Sequence, residues 1–107
     1  MGKTKPQIRK IIESFKGRLK RKMNIEAVLL FGSHAKGLAT KDSDIDLVII
    51  SKDFQRYKKH RNRILKMYDI WNFEYPADFL CYTPKEFEAL SKKITIAKTA
   101  KEEGILI

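Results

Sequence analysis

Four residues carry the most legible chemistry: Gly32 and Ser33, then, after ten intervening residues, Asp44 and Asp46 in an Asp-x-Asp pair. On either side, Ile25 to Phe31 (IEAVLLF) and Ile45 to Ile50 (IDLVII) are short apolar runs rich in β formers, and each reads as a buried strand. The glycines therefore fall in a loop between strands. In an extended segment alternate side chains share a face, so Asp44 and Asp46 point the same way, with Cα atoms roughly 6.6 Å apart. Carboxylates that converge at a strand end repel each other, by on the order of 4 kcal/mol at about 4 Å and an effective dielectric near 20. A cation would join them. Mg2+ is the natural guest, because it takes hard oxygen ligands, keeps several waters and borrows phosphate oxygens. The Gly-Ser turn, ahead of a short helix over Ser33 to Lys36, offers backbone N–H groups and a hydroxyl to a phosphate, backed by the helix dipole. Asp-x-Asp alone is commonly a solvated strand end and Gly-Ser alone an ordinary turn. It is their conjunction between two apolar strands that points to phosphate and metal.

The elements that must position these residues read as follows. Thr4 to Lys22 forms an amphipathic helix, with Thr4 and Gln7 spaced as a capping box and Ile8, Ile11, Ile12, Phe15 and Leu19 on one face. Its other face carries Arg9, Lys10, Lys16, Arg18, Lys20, Arg21 and Lys22. After the second strand, Asp53 is placed to cap a helix running to about Trp71, in which Phe54, Tyr57, Arg61, Ile64, Leu65 and Tyr68 recur at helical spacing. Lys58, Lys59, His60, Arg61 and Arg63 make a second basic cluster, and Trp71, Phe73 and Tyr75 pack near the helix end. Ala77 to Tyr82 (ADFLCY) reads as a third strand entered through Pro76. Asp78 sits at its beginning, and an acid in an otherwise apolar strand is costly unless something pairs with it. Thr83-Pro84-Lys85-Glu86 is a capping box with Pro at the first helical position, and a further helix over about Lys92 to Glu103 ends at Gly104. Ile105 to Ile107 supplies a short edge strand or packs into the core.

At 107 residues the chain reads as one domain, 1–107. No apolar run approaches the roughly 18 residues that a membrane span needs, and no signal peptide is visible. The single cysteine, Cys81, excludes an internal disulfide framework and has no Cys or His neighbour at ligand spacing, so it reads as a core thiol in a cytoplasmic protein. A net charge of +10 and a pI near 9.8 permit nucleic acid, polyphosphate or an acidic protein as partner. A surface rich in Lys and Glu equally suits a thermophilic source. No stacking platform, helix-turn-helix, RRM or zinc-finger pattern accompanies the charge.

GSHAKGLATKDSDIDLVI resembles the signature of the nucleotidyltransferase superfamily related to DNA polymerase beta, and more narrowly that of its minimal MNT-type members. The resemblance covers nearly the whole chain. It implies an α/β (α+β) fold, a polymerase-beta-like palm whose small mixed sheet of three to four strands is flanked by helices. The implied activity is transfer of a nucleoside monophosphate, AMP from ATP, to a hydroxyl with two Mg2+ ions. On this pattern Asp44, Asp46 and Asp78 are the catalytic and metal-binding carboxylates, Asp78 matching the acid that arrives from a neighbouring strand. Gly32 and Ser33 grip the β and γ phosphates, with His34 and Lys36 in reach of them. Many relatives carry Arg where Lys36 stands, so a point charge replaces a bidentate clamp. Larger relatives add a helical domain to hold base and acceptor; here a separate subunit or a homodimer would supply those walls. Minimal MNT proteins are typically paired with a HEPN ribonuclease as antitoxin and toxin, adding AMP to the toxin. Action on RNA or a small molecule is the alternative that the positive charge favours, and a catalytically silent partner-binding module is a third.

Overall fold

The two apolar runs that flank the motif loop pair with each other in the computed structural model, which describes residues 4–71, 74–93 and 96–107. Strand β1 (Ala27–Phe31) lies antiparallel to β2 (Ile45–Ile50), and β2 lies parallel to β3 (Ala77–Tyr82). The closing residues form β4 (Ile105–Leu106), antiparallel to β1, which gives a four-stranded mixed sheet in the order β3-β2-β1-β4. The expected sheet of three to four strands is thus present, and the end of the chain joins it as an edge strand. Gly104 makes that return possible, since a Cβ there would lie 2.2 Å from the Ala100 carbonyl oxygen.

Helices cover the two faces unequally. Helix α1 (Pro6–Lys22) lays Ile8, Ile12, Phe15 and Leu19 on the face formed by Val28, Leu30, Ile45, Leu47, Ile49 and Phe79. Phe15 meets Trp71 edge-on at 5.0 Å and Phe79 at 5.5 Å, so one aromatic cluster ties α1, α3 (His60–Trp71) and β3 together. On the opposite face α4 (Pro84–Ser91) and α5 (Ile96–Glu103) close over Val48 and Ile50, with Leu29, Leu80 and Tyr82 around them. The face is left open at the end where Asp46 stands. No helix among the described residues is long and apolar enough to cross a membrane.

Several expectations are corrected by local physics. Helix α1 has no side-chain cap: Pro6 presets its first turn, and Thr4, 8% exposed, donates its hydroxyl to the His34 carbonyl at 3.2 Å in place of accepting from the Gln7 amide. Asp53 does not start a helix reaching Trp71. Ser51 caps a short 3-10 helix over Lys52–Arg56, the chain breaks at residues 57–59, and α3 begins at His60. Asp53 instead accepts from the Asn24 amide at 2.8 Å, which holds its carboxyl below the usual range. The break resets the helical phase, so α3 buries Arg63, Met67, Ile70 and Trp71 while Leu65 and Tyr68 face out. The Thr83–Glu86 capping box forms as expected. Phe73, and residues 94–95 of the expected last helix, lie outside the described residues.

Arg63, one of the second basic cluster in the sequence, is 3% exposed. Its guanidinium donates to the Tyr57 carbonyl at 2.7 Å, the Cys81 carbonyl at 3.1 Å and the Glu86 carboxylate at 2.6 Å. It therefore joins the 3-10 segment, β3 and the capping box of α4. Together with Tyr68, whose hydroxyl donates to Ala77 O at 2.5 Å, it also occupies carbonyls on the outer side of edge strand β3. The hydrogen bond from Arg63 holds the Glu86 carboxyl below its usual range against the effect of burial, with the Thr83 capping bonds and the Arg63 charge helping. Because the folded value lies below the unfolded one, this stabilisation is full above the unfolded carboxyl pKa and is lost as pH falls through the folded value. Arg63→Ala should destabilise the chain by about 3 kcal/mol in urea unfolding at pH 7, and by less at pH 3, because it strands two carbonyls and the Glu86 carboxylate.

Candidate active site

Parallel pairing decides where the acids meet. In the β2–β3 register Asp46 lies directly beside Asp78, and in the β1–β2 register it faces Phe31, the residue before the Gly-Ser turn. Helix α2 (Gly32–Lys36) starts there, so the turn and both acids share one end of the sheet. Gly32 has φ +74°, and a Cβ on it would sit 2.3 Å from the Asp46 carboxylate oxygen Oδ2. The backbone and the acid are packed as closely as glycine permits.

The three carboxylates interact through space. Burial, then the charges of Asp78 and Asp44, raise the Asp46 carboxyl above its usual range, and His34 opposes this weakly. Asp44 and Asp78 are exposed, Asp46 is half-buried, and none of the three forms an ion pair with Lys or Arg among the described residues. They do not form a ready-made cage either: among the described residues no three His, Cys, Asp or Glu side chains are arranged to hold an ion. The donors nonetheless suit a hard divalent cation, being oxygen ligands that repel one another and, among the described residues, pair with no Lys or Arg.

Asp46 and Asp78 line a cleft of about 350 Å³ whose other walls are Phe31, Ile64, Tyr68, Phe79 and Leu80. One end is acidic and the remainder mostly apolar. Of the other sequence-predicted residues, Ser33 is half-buried at the start of α2. Lys36 is half-exposed and pairs with Glu103 of α5 at 3.6 Å. His34 is 6% exposed, with Nε2 3.3 Å from the Ser43 carbonyl oxygen.

Comparison with known proteins gives the family of the chain. Residues 8–106 match the family profile described as "Nucleotidyltransferase domain". The chain belongs to that family. Among curated relatives of this nucleotidyltransferase domain are three from Methanocaldococcus jannaschii. "Putative protein adenylyltransferase MJ1305" is 33% identical over 58 residues, 52% of this chain and 40% of its own length. "Putative protein adenylyltransferase MJ1379" is 40% identical over 47 residues, 44% of this chain and 47% of its own length. "Putative protein adenylyltransferase MJ0126" is 38% identical over 47 residues, 44% of this chain and 48% of its own length. The matches thus span less than half of each relative. A solved structure described as a putative nucleotidyltransferase from Sulfolobus solfataricus superposes with a TM-score of 0.58 at 21% identity, covering 99% of this chain and 89% of that one. That likeness is one of fold.

Sequence reasoning missed Tyr68 and Phe31 as walls of the cleft of this nucleotidyltransferase domain. Tyr68 is one of the residues read at helical spacing in a helix continuous from Asp53; the break at residues 57–59 shifts that phase, and Tyr68 faces out beside Asp78. Burial and then the charges of Asp78 and Asp44 push its phenol up, so it stays protonated at neutral pH.

Two outcomes are expected. Gly32→Ala should lower stability by about 2 kcal/mol in urea, since the new methyl must adopt a positive φ and displace the Asp46 carboxylate. Asp46→Asn should raise the melting temperature of the metal-free protein at pH 7. The folded pKa of Asp46 lies above the unfolded one, so ionisation weakens the fold as pH rises through that interval. The advantage of the Asn variant should shrink as pH falls below the raised value, and calorimetry at pH 7 and pH 4 checks it.

Proposed function

We propose that the chain moves a nucleoside monophosphate, AMP from ATP, onto a hydroxyl of a partner protein. The observation that carries the reading is the placement of Asp46 beside Asp78 and against Gly32, with Asp44 within electrostatic reach. The names of the curated relatives support protein as the acceptor. Resemblance to MNT-type proteins points to a HEPN ribonuclease toxin as that partner, or to a second copy of the chain as the missing wall, with the present residues working as one minimal domain.

In this reading Asp44, Asp46 and Asp78 would hold two Mg2+ ions, which when bound would offset the charge of the triphosphate and lower the pKa of the acceptor hydroxyl. Gly32 offers its backbone N–H, and Ser33 its hydroxyl, to the β and γ phosphates. Lys36 adds a mobile point charge once its half-exposed pairing with Glu103 is exchanged for phosphate. Asp78 takes the proton of the acceptor hydroxyl. The acceptor oxygen then bonds to the α-phosphorus, the bond from that phosphorus to the α–β bridging oxygen breaks in line, and pyrophosphate leaves with the electron pair. The apolar cleft walls keep water from competing with the acceptor.

A second reading, transfer to RNA, is favoured by the net charge of +10. α-Labelled ATP with Mg2+, offered separately with the product of a neighbouring gene and with bulk RNA, separates the two. Label is expected on protein, and Asp46→Asn should reduce it on the order of 10³-fold or more. Label on RNA alone would establish the second reading, and label on neither, with wild-type protein folded, would overturn both.

A further inference from the structure

We propose that His34 is a positioning residue: bonded to the Ser43 carbonyl from behind the motif loop, it sets where Asp44 lies relative to Asp46. The inference deepens the nucleotidyl-transfer reading and rests on it for the role of Asp44.

A carbonyl oxygen only accepts, so the His34 Nε2 that lies 3.3 Å from Ser43 O carries the proton and donates it. The bond spans nine residues of chain. It reaches from the short helix that opens the phosphate turn to the residue immediately before Asp44. Across the rest of the loop the hydrogen bonds are local. The Ser43 amide donates to Thr40 O at 3.1 Å, the Thr40 amide to Ser43 Oγ at 2.9 Å and the Asp42 amide to Thr40 Oγ1 at 3.3 Å. Among the described residues these bonds shape residues 40–43 as a unit without attaching it to the sheet. His34 makes the attachment, and it is itself fixed. It is 6% exposed, and its carbonyl accepts the hydroxyl of Thr4, which is 8% exposed at the entrance to α1. The chain Thr4, His34, Ser43 therefore carries the position of a packed helix to the residue preceding an exposed acid. Among the described residues the Asp44 side chain has no hydrogen bond or ion pair to hold it, yet its charge is felt at Asp46 and at Tyr68. A loop released at Ser43 lets Asp44 drift from the other two acids, and misplacement of about 1 Å at a reacting centre costs on the order of 100-fold. With its ring buried and Nε2 engaged, His34 acts on the site through the loop and not by touching a phosphate.

The full chain with His34→Leu, which keeps bulk and removes the donor, is compared with His34→Gln, which restores a donor, and with Asp44→Asn. Amide exchange by NMR on the metal-free protein should show the Thr40 and Ser43 amides exchanging at least tenfold faster in His34→Leu, with the β2 and β3 amides unchanged and His34→Gln within threefold of wild type. In adenylyl transfer, His34→Leu should lower kcat about 30-fold and raise the half-saturating Mg2+, leave KM for ATP within threefold, and add nothing in an Asp44→Asn background. Unchanged loop exchange, or a global loss of protection in place of a local one, would overturn the proposal. So would a KM effect without a kcat effect, or loss that multiplies that of Asp44→Asn, since either marks His34 as a direct phosphate ligand. If wild type transfers nothing, the transfer reading fails by itself, and the exchange experiment still decides whether His34 holds the loop.

Discussion

The parallel register of β2 and β3 is the constraint from which the rest follows. It sets two like charges side by side on strands about 4.8 Å apart, and the antiparallel neighbour β1 brings the Gly32 backbone up against one of them. Nothing in the site favours this arrangement by itself, as the raised Asp46 carboxyl records. Stability comes from elsewhere: from β2, whose residues beyond Asp46 are buried on both faces, and from the Phe15–Trp71–Phe79 cluster that locks α1 and α3 beneath the sheet. The acids are held in opposition by a core that has no stake in them.

The two ends of the sheet divide the labour. At the sealed end a buried cation, Arg63, is fully engaged by carbonyls and a carboxylate, and α4 and α5 close over the β2 and β3 side chains. At the open end the imbalance is reversed, with three carboxylates and no ion pair to them from Lys or Arg among the described residues. An uncompensated charge in a half-open cleft is what a site awaiting a charged ligand presents, whereas Arg63 is architecture.

Legibility in the sequence followed how local the governing interaction is. The strands Ile45–Ile50 and Ala77–Tyr82 lie where apolar β-forming runs put them, and the Thr83–Glu86 box formed because its partners are three residues apart. The Gly-Ser turn with its Asp-x-Asp was readable as a candidate site for the same reason. Long-range bonds were not readable. Thr4 has a cap partner three residues on but bonds to His34, thirty residues away. Arg63 looks like one more surface cation until β3 and α4 arrive to bond it. The phase of α3 depends on a break at residues 57–59 that follows from the Ser51 cap, and a continuous helical reading from Asp53 hid both the burial of Arg63 and the outward turn of Tyr68. That Asp78 lands beside Asp46 is a fact of strand order and register, which no pattern within either strand encodes.

Cys81 is the last residue but one of β3, with 1% of its surface exposed, and burial pushes its thiol up to about 12. At neutral pH the reactive thiolate is then scarcer than in a solvent-exposed cysteine of ordinary pKa near 8.5 by roughly three orders of magnitude or more. It is the one cysteine of the sequence, and burial shields it in the folded state. A reporter cysteine introduced at the rim of the cleft would take up a fluorophore or spin label without removal of the native residue. Modification of Cys81 itself would then time the moments at which β3 leaves the sheet, a built-in clock for local opening.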